Sequence, residues 1–300
     1  MKAFVRHIAL VVLGWLIIHT GIVIYIGQTG KDFQINDAGS TKERFEDFEK
    51  WVHSPIKQQR AIIVGSSTAY RNINPVILDS LTDYSWFNLA SSSQTVTVSA
   101  ALAKIALQRM GKIDLLLVDV YPEITDISNY EATYDWVNNS GLNGCEKWQL
   151  MEIAKLDLRL INAAYFRSLQ LLFGWKAILQ PTKNKGRYVG KGYAYSLKEP
   201  NATWPIGKKE KRVMLNDEIT DLIAWAKANK IKVILNIAPD LDYSYTLQAT
   251  DQVPNVLTHN EFTQQKKSYR LFYDSHHMTR EGGERYSLLV GKKLANLFNH

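Results

Sequence analysis

Four short apolar runs govern what this chain can fold into. They are Ala61–Val64, Trp86–Leu89, Leu115–Val120 and Val233–Ala238. Gly65 ends the first, Pro122 closes the third and Pro239 the fourth. Short apolar runs bounded by turn residues read as strands covered on both faces. Helix-patterned stretches accompany them at Ser99–Arg109, Asn216–Asn229 and Glu281–Phe298. Alternating strands and helices predict an α/β fold with a central parallel sheet and helices on both faces. In such sheets, sites form at the carboxyl ends of the strands, so the residues just after each run are the ones that matter.

Ahead of this pattern lies a longer apolar run, Ile8 to Gly27, with His19 and Thr20 its clearly polar members. At about 1.5 Å per residue a helix of that length crosses a hydrocarbon core of about 30 Å. Lys2 and Arg6 at its front place the N-terminus in the cytoplasm and the rest outside the inner membrane. The competing reading is a cleaved signal peptide. Against it, the run is long, and Ile26-Gly27-Gln28-Thr29-Gly30 is a poor small-x-small cleavage site. No other stretch reaches spanning length, and the mean hydropathy of −0.21 excludes a polytopic protein.

The expected organisation is an anchor over 1–28, a juxtamembrane linker with a short helix over 29–60, and one α/β domain over 61–300. Hydrophobic residues make up 46% and charged residues 22%, which excludes a disordered or fibrous chain. A single cysteine, Cys145, excludes an internal disulfide framework and a Cys-rich zinc site. The net charge of +7 is mild and does not by itself indicate nucleic acid. Asn138-Asn139-Ser140 and Asn201-Ala202-Thr203 fit a glycosylation sequon, a pattern common by chance.

Residues 126–210 break the rhythm and read as an insertion or lid. Within them Leu150 to Trp175 has the apolar content of a long helix, either buried or lying on the bilayer or a partner. Lys183, Lys185, Arg187 and Lys191 then interleave with Tyr188, Tyr193 and Tyr195. That mixture suits a cradle for an anionic or sugar polymer or for lipid headgroups, and equally a solvated loop. Lys191 and Tyr193 are its substrate-binding candidates.

Two segments at strand ends carry nucleophilic chemistry. Strand one runs into Gly65-Ser66-Ser67-Thr68-Ala69-Tyr70. A serine at such a turn exposes its hydroxyl beside free backbone N–H groups. Serine is also a preferred helix N-cap, and alone the segment favours that role. Near the C-terminus stands Asp274-Ser275-His276-His277-Met278-Thr279. An Asp three residues before a His can hold the imidazole tautomer while the other ring nitrogen takes a proton from serine. Ser66 or Ser67 as nucleophile, and His276 or His277 as base, both stay open. A weak metal site at the paired histidines has no Cys or third His nearby in sequence to complete it. The segment 65–70 is neither a dinucleotide fingerprint nor a P-loop.

A serine after strand one and an Asp-x-x-His before the last helix resemble the SGNH/GDSL hydrolase superfamily. Gly65-Ser66-Ser67 stands where that family has Gly-Asp-Ser, so the resemblance makes Ser67 the nucleophile and Asp274 and His277 its partners. Tyr70-Arg71-Asn72-Ile73-Asn74-Pro75 is similar to a step in membrane-tethered members, and adds Arg71 and Asn72 as substrate-binding candidates. Thr279-Arg280-Glu281-Gly282-Gly283 is similar to the family's stretch before its terminal helix. The match spans about residues 61 to 298, with the insertion unmatched. It implies a three-layer α/β/α fold with a flavodoxin-like parallel sheet.

Two blocks depart from the family. After strand two the chain reads Asn88-Leu89-Ala90-Ser91-Ser92-Ser93, with no glycine. After strand three it reads Asp119-Val120-Tyr121-Pro122-Glu123, with no asparagine. The oxyanion donors would then be the backbone N–H groups of Ser67 and Ser91, or of Ser92. The anchor and the Gly-Ser-Ser turn resemble most the proteins of teichoic-acid D-alanylation and of alginate and peptidoglycan O-acetylation.

That resemblance implies an extracytoplasmic serine acyltransferase or esterase. It would act through an acyl-serine on acetyl-like esters of an envelope polysaccharide or teichoic-type polymer. It would use no cofactor or metal, bind no nucleic acid, and serve beside a membrane-bound O-acyltransferase. The alternative is a catalytically silent module that binds polysaccharide or scaffolds such a transferase.

Overall fold

A computed structural model of the chain describes residues 2–29, 41–122, 129–153, 186–204, 207–247 and 255–298. The first half contains α1 (Lys2–Thr29), α2 (Thr41–His53), β1 (Gln59–Val64), α3 (Ser67–Asn72), α4 (Pro75–Leu81), β2 (Tyr84–Asn88), α5 (Val96–Met110) and β3 (Leu115–Asp119). After it come α6 (Tyr130–Asn139), α7 (Gly144–Ile153), and the strands β4 (Gly186–Gly190), β5 (Tyr193–Ser196) and β6 (Lys209–Val213). The chain then forms α8 (Asp217–Ala228), β7 (Lys232–Ile237), β8 (Tyr243–Leu247), β9 (Val256–Thr258), α9 (Asn260–Gln264) and α10 (Arg280–Phe298).

All four expected strands form, and they pair in parallel in one five-stranded sheet of order β2-β1-β3-β7-β9. Ala61 aligns with Leu115, Leu117 with Ile234, and Leu235 with Val256. The fifth strand, β9, has only three residues, too few to stand out in the sequence. Burial alternates with the pleat. Ala61 and Ile63 enter one apolar core, and Ile62 and Val64 enter another. The helices α2, α5 and α8 contribute to the Ile62 core, and α3, α4 and α10 to the Ala61 core.

In three regions the described residues add to the reading from the sequence. The stretch 29–60 is not a linker throughout, because α2 belongs to the domain. Phe45, Phe48, Trp51 and Val52 recur at helical spacing and are buried, and Trp51 Nε1 donates to Ser85 Oγ at 2.9 Å. Described parts of the 126–210 insertion are likewise built into the fold, since Ala132, Trp136, Leu142, Leu150 and Ala194 are core residues. The basic and tyrosine-rich stretch forms, from Gly186 onward, an antiparallel hairpin of β4 and β5. Lys183 and Lys185, and all of the apolar stretch Leu150–Trp175 beyond Ile153, lie outside the described residues. A small parallel pair of β6 and β8 completes the strands described.

The helix α1 is long and apolar enough to cross a membrane. Its Lys2–Gly21 window has a mean hydropathy of 1.7, and Phe4, Val11, Ile17 and Ile18 are exposed.

Candidate active site

The turn after β1 is built around a glycine. Gly65 has φ +151°, and a Cβ there would lie 2.7 Å from Cβ of Asp119. A side chain would therefore push β1 away from the end of β3. Ser66 occupies the N-cap of α3 but makes no side-chain cap bond. Its hydroxyl is buried and lies 3.2 Å from Thr68 Oγ1. Ser67 opens α3 and is only partly buried. Its N–H belongs to the first turn, where an amide has no intrahelical acceptor. Position thus distinguishes the two serines: Ser66 is buried at the N-cap, and Ser67 is partly exposed.

Ser67 Oγ lies 2.7 Å from His277 Nε2, and His277 Nδ1 lies 2.9 Å from Asp274 Oδ2. These partners fix the tautomer, with Nδ1–H donating to the carboxylate and Nε2 accepting from the serine. The other carboxylate oxygen accepts from the backbone N–H groups of His276 and His277, at 3.1 and 2.7 Å. The loop itself is clamped by four hydrogen bonds from three residues. Asn72 Oδ1 accepts from Met278 N, and Asn72 Nδ2 donates to the His276 carbonyl, both at 3.0 Å. Leu241 N donates to Ser275 O at 2.8 Å, and Asn201 Nδ2 donates to Asp274 O at 3.1 Å. Behind the loop, Gly282 lets α10 approach closely, since a Cβ would fall 2.0 Å from the Leu271 carbonyl oxygen.

Burial alone would raise the pKa of Asp274. The hydrogen bond from His277, the charges of His277 and His276 and the backbone N–H of His277 outweigh it and hold the group well below the usual carboxylate range. His276 is pushed down to about 4, first by burial and then by the neighbouring His277. It is therefore neutral near pH 7, and its Nδ1 faces Ser275 Oγ at 2.8 Å and Tyr121 OH at 3.2 Å. Between the two histidines, the geometry pairs His277 with Ser67.

The loop after β2 is equally organised. Asn88 Oδ1 accepts from Ala90 N at 3.1 Å, and Asn88 Nδ2 donates to the carbonyls of Ala69 and Ile73. Arg44 of α2 donates to the Ala90 carbonyl at 2.7 Å and stacks over Tyr70 at 4.0 Å. Ser91 is buried; its hydroxyl bonds Gln94 and receives Trp136 Nε1. Its side chain is thus committed inward, leaving the backbone N–H as the group it could offer an oxyanion.

The substrate-binding candidates take other positions. Asn72 is fully buried and clamps the histidine loop. Arg71 is buried with its guanidinium 5.0 Å from the Tyr70 ring. Lys191 pairs with Asp79, and its carbonyl accepts from Asn88 N at 3.0 Å. Tyr193 is buried in the β5 region, with only 1% of its surface exposed. Asn72 and Lys191 thus bond neighbouring segments, while Arg71 and Tyr193 are buried. Arg44 and the supporting roles of Asn88 and Asn72 escaped the sequence reading. Their available signal was a polar residue inside an apolar pattern, as with Asn88 in Trp86–Leu89.

Tyr121, stacked on His276 at 4.7 Å, links this loop to a cavity of about 370 Å³. Val96, Val120, Pro122, Met214, Asn129 and Lys211 are among its lining residues. Asp274, His276 and His277 also place possible metal-ligand atoms within 4.8 Å of one another. In the arrangement observed, Asp274 Oδ2 and His277 Nδ1 bind each other. No protein-family model matches this chain, and a comparison with curated proteins returns no match.

Proposed function

We propose that this chain is a membrane-anchored serine acyltransferase or esterase of the SGNH/GDSL type, acting outside the cytoplasmic membrane on acyl esters of an envelope polymer. The observation that carries the reading is the Ser67–His277–Asp274 chain of hydrogen bonds, 2.7 and 2.9 Å long. The two cores on alternate residues of β1 fit the three-layer arrangement expected of that family. The apolar, exposed α1 fits the anchor.

In this mechanism Ser67 Oγ attacks the ester carbonyl carbon while His277 Nε2 takes its proton. Asp274 holds Nδ1–H and stabilises the imidazolium. The N–H groups of Ser67 and Ser91 receive the oxyanion. His277 then returns the proton to the departing alkoxide, leaving an acyl-serine. A sugar or polyol hydroxyl, or water, gives its proton to His277 and attacks the acyl carbon, and His277 passes that proton to Ser67 Oγ as the acyl–serine bond breaks. The cavity beside Tyr121 is the place assigned to the acceptor, and exclusion of water there would favour transfer over hydrolysis.

The alternative, a silent binding or scaffolding module, draws on one feature. After β3 the chain presents Val120 and Tyr121 where the family has an asparagine donor. Loss of one such donor costs about 10²–10³ in rate. A fluorophosphonate probe separates the two readings. The active reading expects an adduct on Ser67, located by mass spectrometry, that is absent in Ser67→Ala and His277→Ala and present in Ser66→Ala. A folded protein with no adduct would leave the binding module.

A further inference from the structure

Beneath the nucleophile turn a row of buried polar groups crosses the sheet at its strand ends. Thr68 Oγ1 donates to Asp119 Oδ2 at 2.5 Å. Asp119 Oδ1 accepts from Asn236 Nδ2 at 2.6 Å. Asn236 Oδ1 in turn faces His259 Nε2 at 2.9 Å and receives Tyr286 OH at 3.2 Å. The row thus runs from α3, just after β1, through β3 and β7 to His259, just after β9, and ends on α10. Thr68, Asn236 and Tyr286 are fully buried, and Asp119 and His259 are 4% and 1% exposed.

A buried carboxyl beneath a sheet of Val, Ile and Leu is costly unless it is bonded. Burial pushes Asp119 up to about 6, while Thr68 and Asn236 act to lower it. The groups facing it are all neutral near pH 7: Thr68, Asn236, Tyr286 from α10, and beyond Asn236 the ring of His259, which burial holds down to about 3. No cation neutralises it among the described residues that bond it. The feature is therefore expensive where an apolar residue would pack, and among the described hydrogen bonds its carboxyl reaches the nucleophile turn through Thr68, the residue after Ser67.

We propose that Asp119 and Thr68 are positioning residues for Ser67, the carboxyl gripping the first turn of α3 so that the serine hydroxyl stays within reach of His277. The grip acts through the Thr68 hydroxyl, and Asn236 fixes the carboxyl from the other side. This rests on the serine-enzyme reading for its kinetic readout, but not for its geometry.

The test uses the full-length protein in detergent. Thr68→Val keeps the shape and removes the hydroxyl, and Thr68→Ser restores the hydroxyl. Labelling of Ser67 by a fluorophosphonate is followed as a second-order rate constant, with thermal unfolding as the control for folding. Thr68→Val should slow labelling by about 10²-fold, the scale of a misplaced nucleophile, and Thr68→Ser should recover most of it. Asp119→Asn, which can still bridge Thr68 and Asn236, should label faster than Asp119→Ala. Equal labelling of wild type and a folded Thr68→Val overturns the proposal, as does slow labelling that serine fails to rescue. If wild type itself does not label, the serine-enzyme reading falls, and crystal structures decide the positioning claim. A Ser67–His277 separation that stays near 2.7 Å in Thr68→Val would then overturn it, and one beyond about 3.5 Å, past hydrogen-bond range, would sustain it.

Discussion

Two segments stand out by composition: the loop Asp274–His277 and the hairpin of β4 and β5. Their outcomes differ. The loop presents Asp274 and His277 to a serine at the start of α3, with His277 at hydrogen-bond distance from both Ser67 and Asp274. The hairpin turns Tyr188 and Lys191 back toward the protein. Tyr188 OH donates to Asp47 Oδ2 at 2.8 Å and accepts from Gly192 N at 3.1 Å, while Lys191 pairs with Asp79. What separates them is the company each keeps. The loop lies at the carboxyl edge of a parallel sheet, where backbone groups and side chains converge. The hairpin covers the end of β2 and a side of α2, where a cation or a phenol is useful as a peg. Basic and aromatic residues in one run say little until their partners are known. An Asp and a His a few residues apart before a helix say more, because both can reach one site.

That contrast can be broken by substitution. The largest effect should come from Asp274→Asn, which spoils the tautomer of His277 and should slow labelling of Ser67 by about 10⁴-fold with the fold intact. A rate within tenfold of wild type would remove Asp274 from the mechanism. Next is Asn72→Ala. It frees the Met278 N–H and the His276 carbonyl, so labelling should slow by about 10²-fold and urea stability should drop by about 1–3 kcal/mol.

Acid sharpens the loop side of the comparison further. The pKa of Asp274 is depressed in the folded state, so its stabilisation is present above the unfolded value of about 3.9 and is lost as pH falls through the folded one. The stability gap between wild type and Asp274→Asn should therefore close below about pH 4, in urea titrations across pH. The smallest effect belongs to the hairpin. Lys191→Ala removes a partly exposed ion pair and should cost at most about 1 kcal/mol. Labelling should be unchanged, and a large loss there would return Lys191 to the site.

Much of the fold can be read from the sequence. Runs such as Leu115–Val118, and Val233–Leu235 in β7, have no polar member, so strand identity follows from local chemistry alone. Asp217–Ala228 is legible as a helix for the same reason, with Asn216 accepting from Ile219 N as its cap. The three-residue β9 and the short α3 and α4 are not legible, since a few residues carry too little periodicity to distinguish helix from turn. The short helix α2 is legible as a helix, but its burial is not, since Phe45, Phe48 and Trp51 sit among Lys and Glu and look solvated until the core is assembled. In the site, Ser67, Asp274 and His277 are visible as residue types in order. Ser66 and His276 are equally visible, and no local rule separates the members of each pair.

The sequence by itself determined the parallel strands, the apolar N-terminal helix and the residue types at the strand ends. Those follow from interactions within a few residues: hydrophobic runs, caps, and the turn after β1. Only the tertiary structure decided which serine faces which imidazole, that Asn72 clamps a loop two hundred residues away, and that Asp119 lies beneath Thr68. Such choices depend on contacts between strands far apart in the chain. Side-chain direction there is set by register and burial, and neither exists until the sheet is formed.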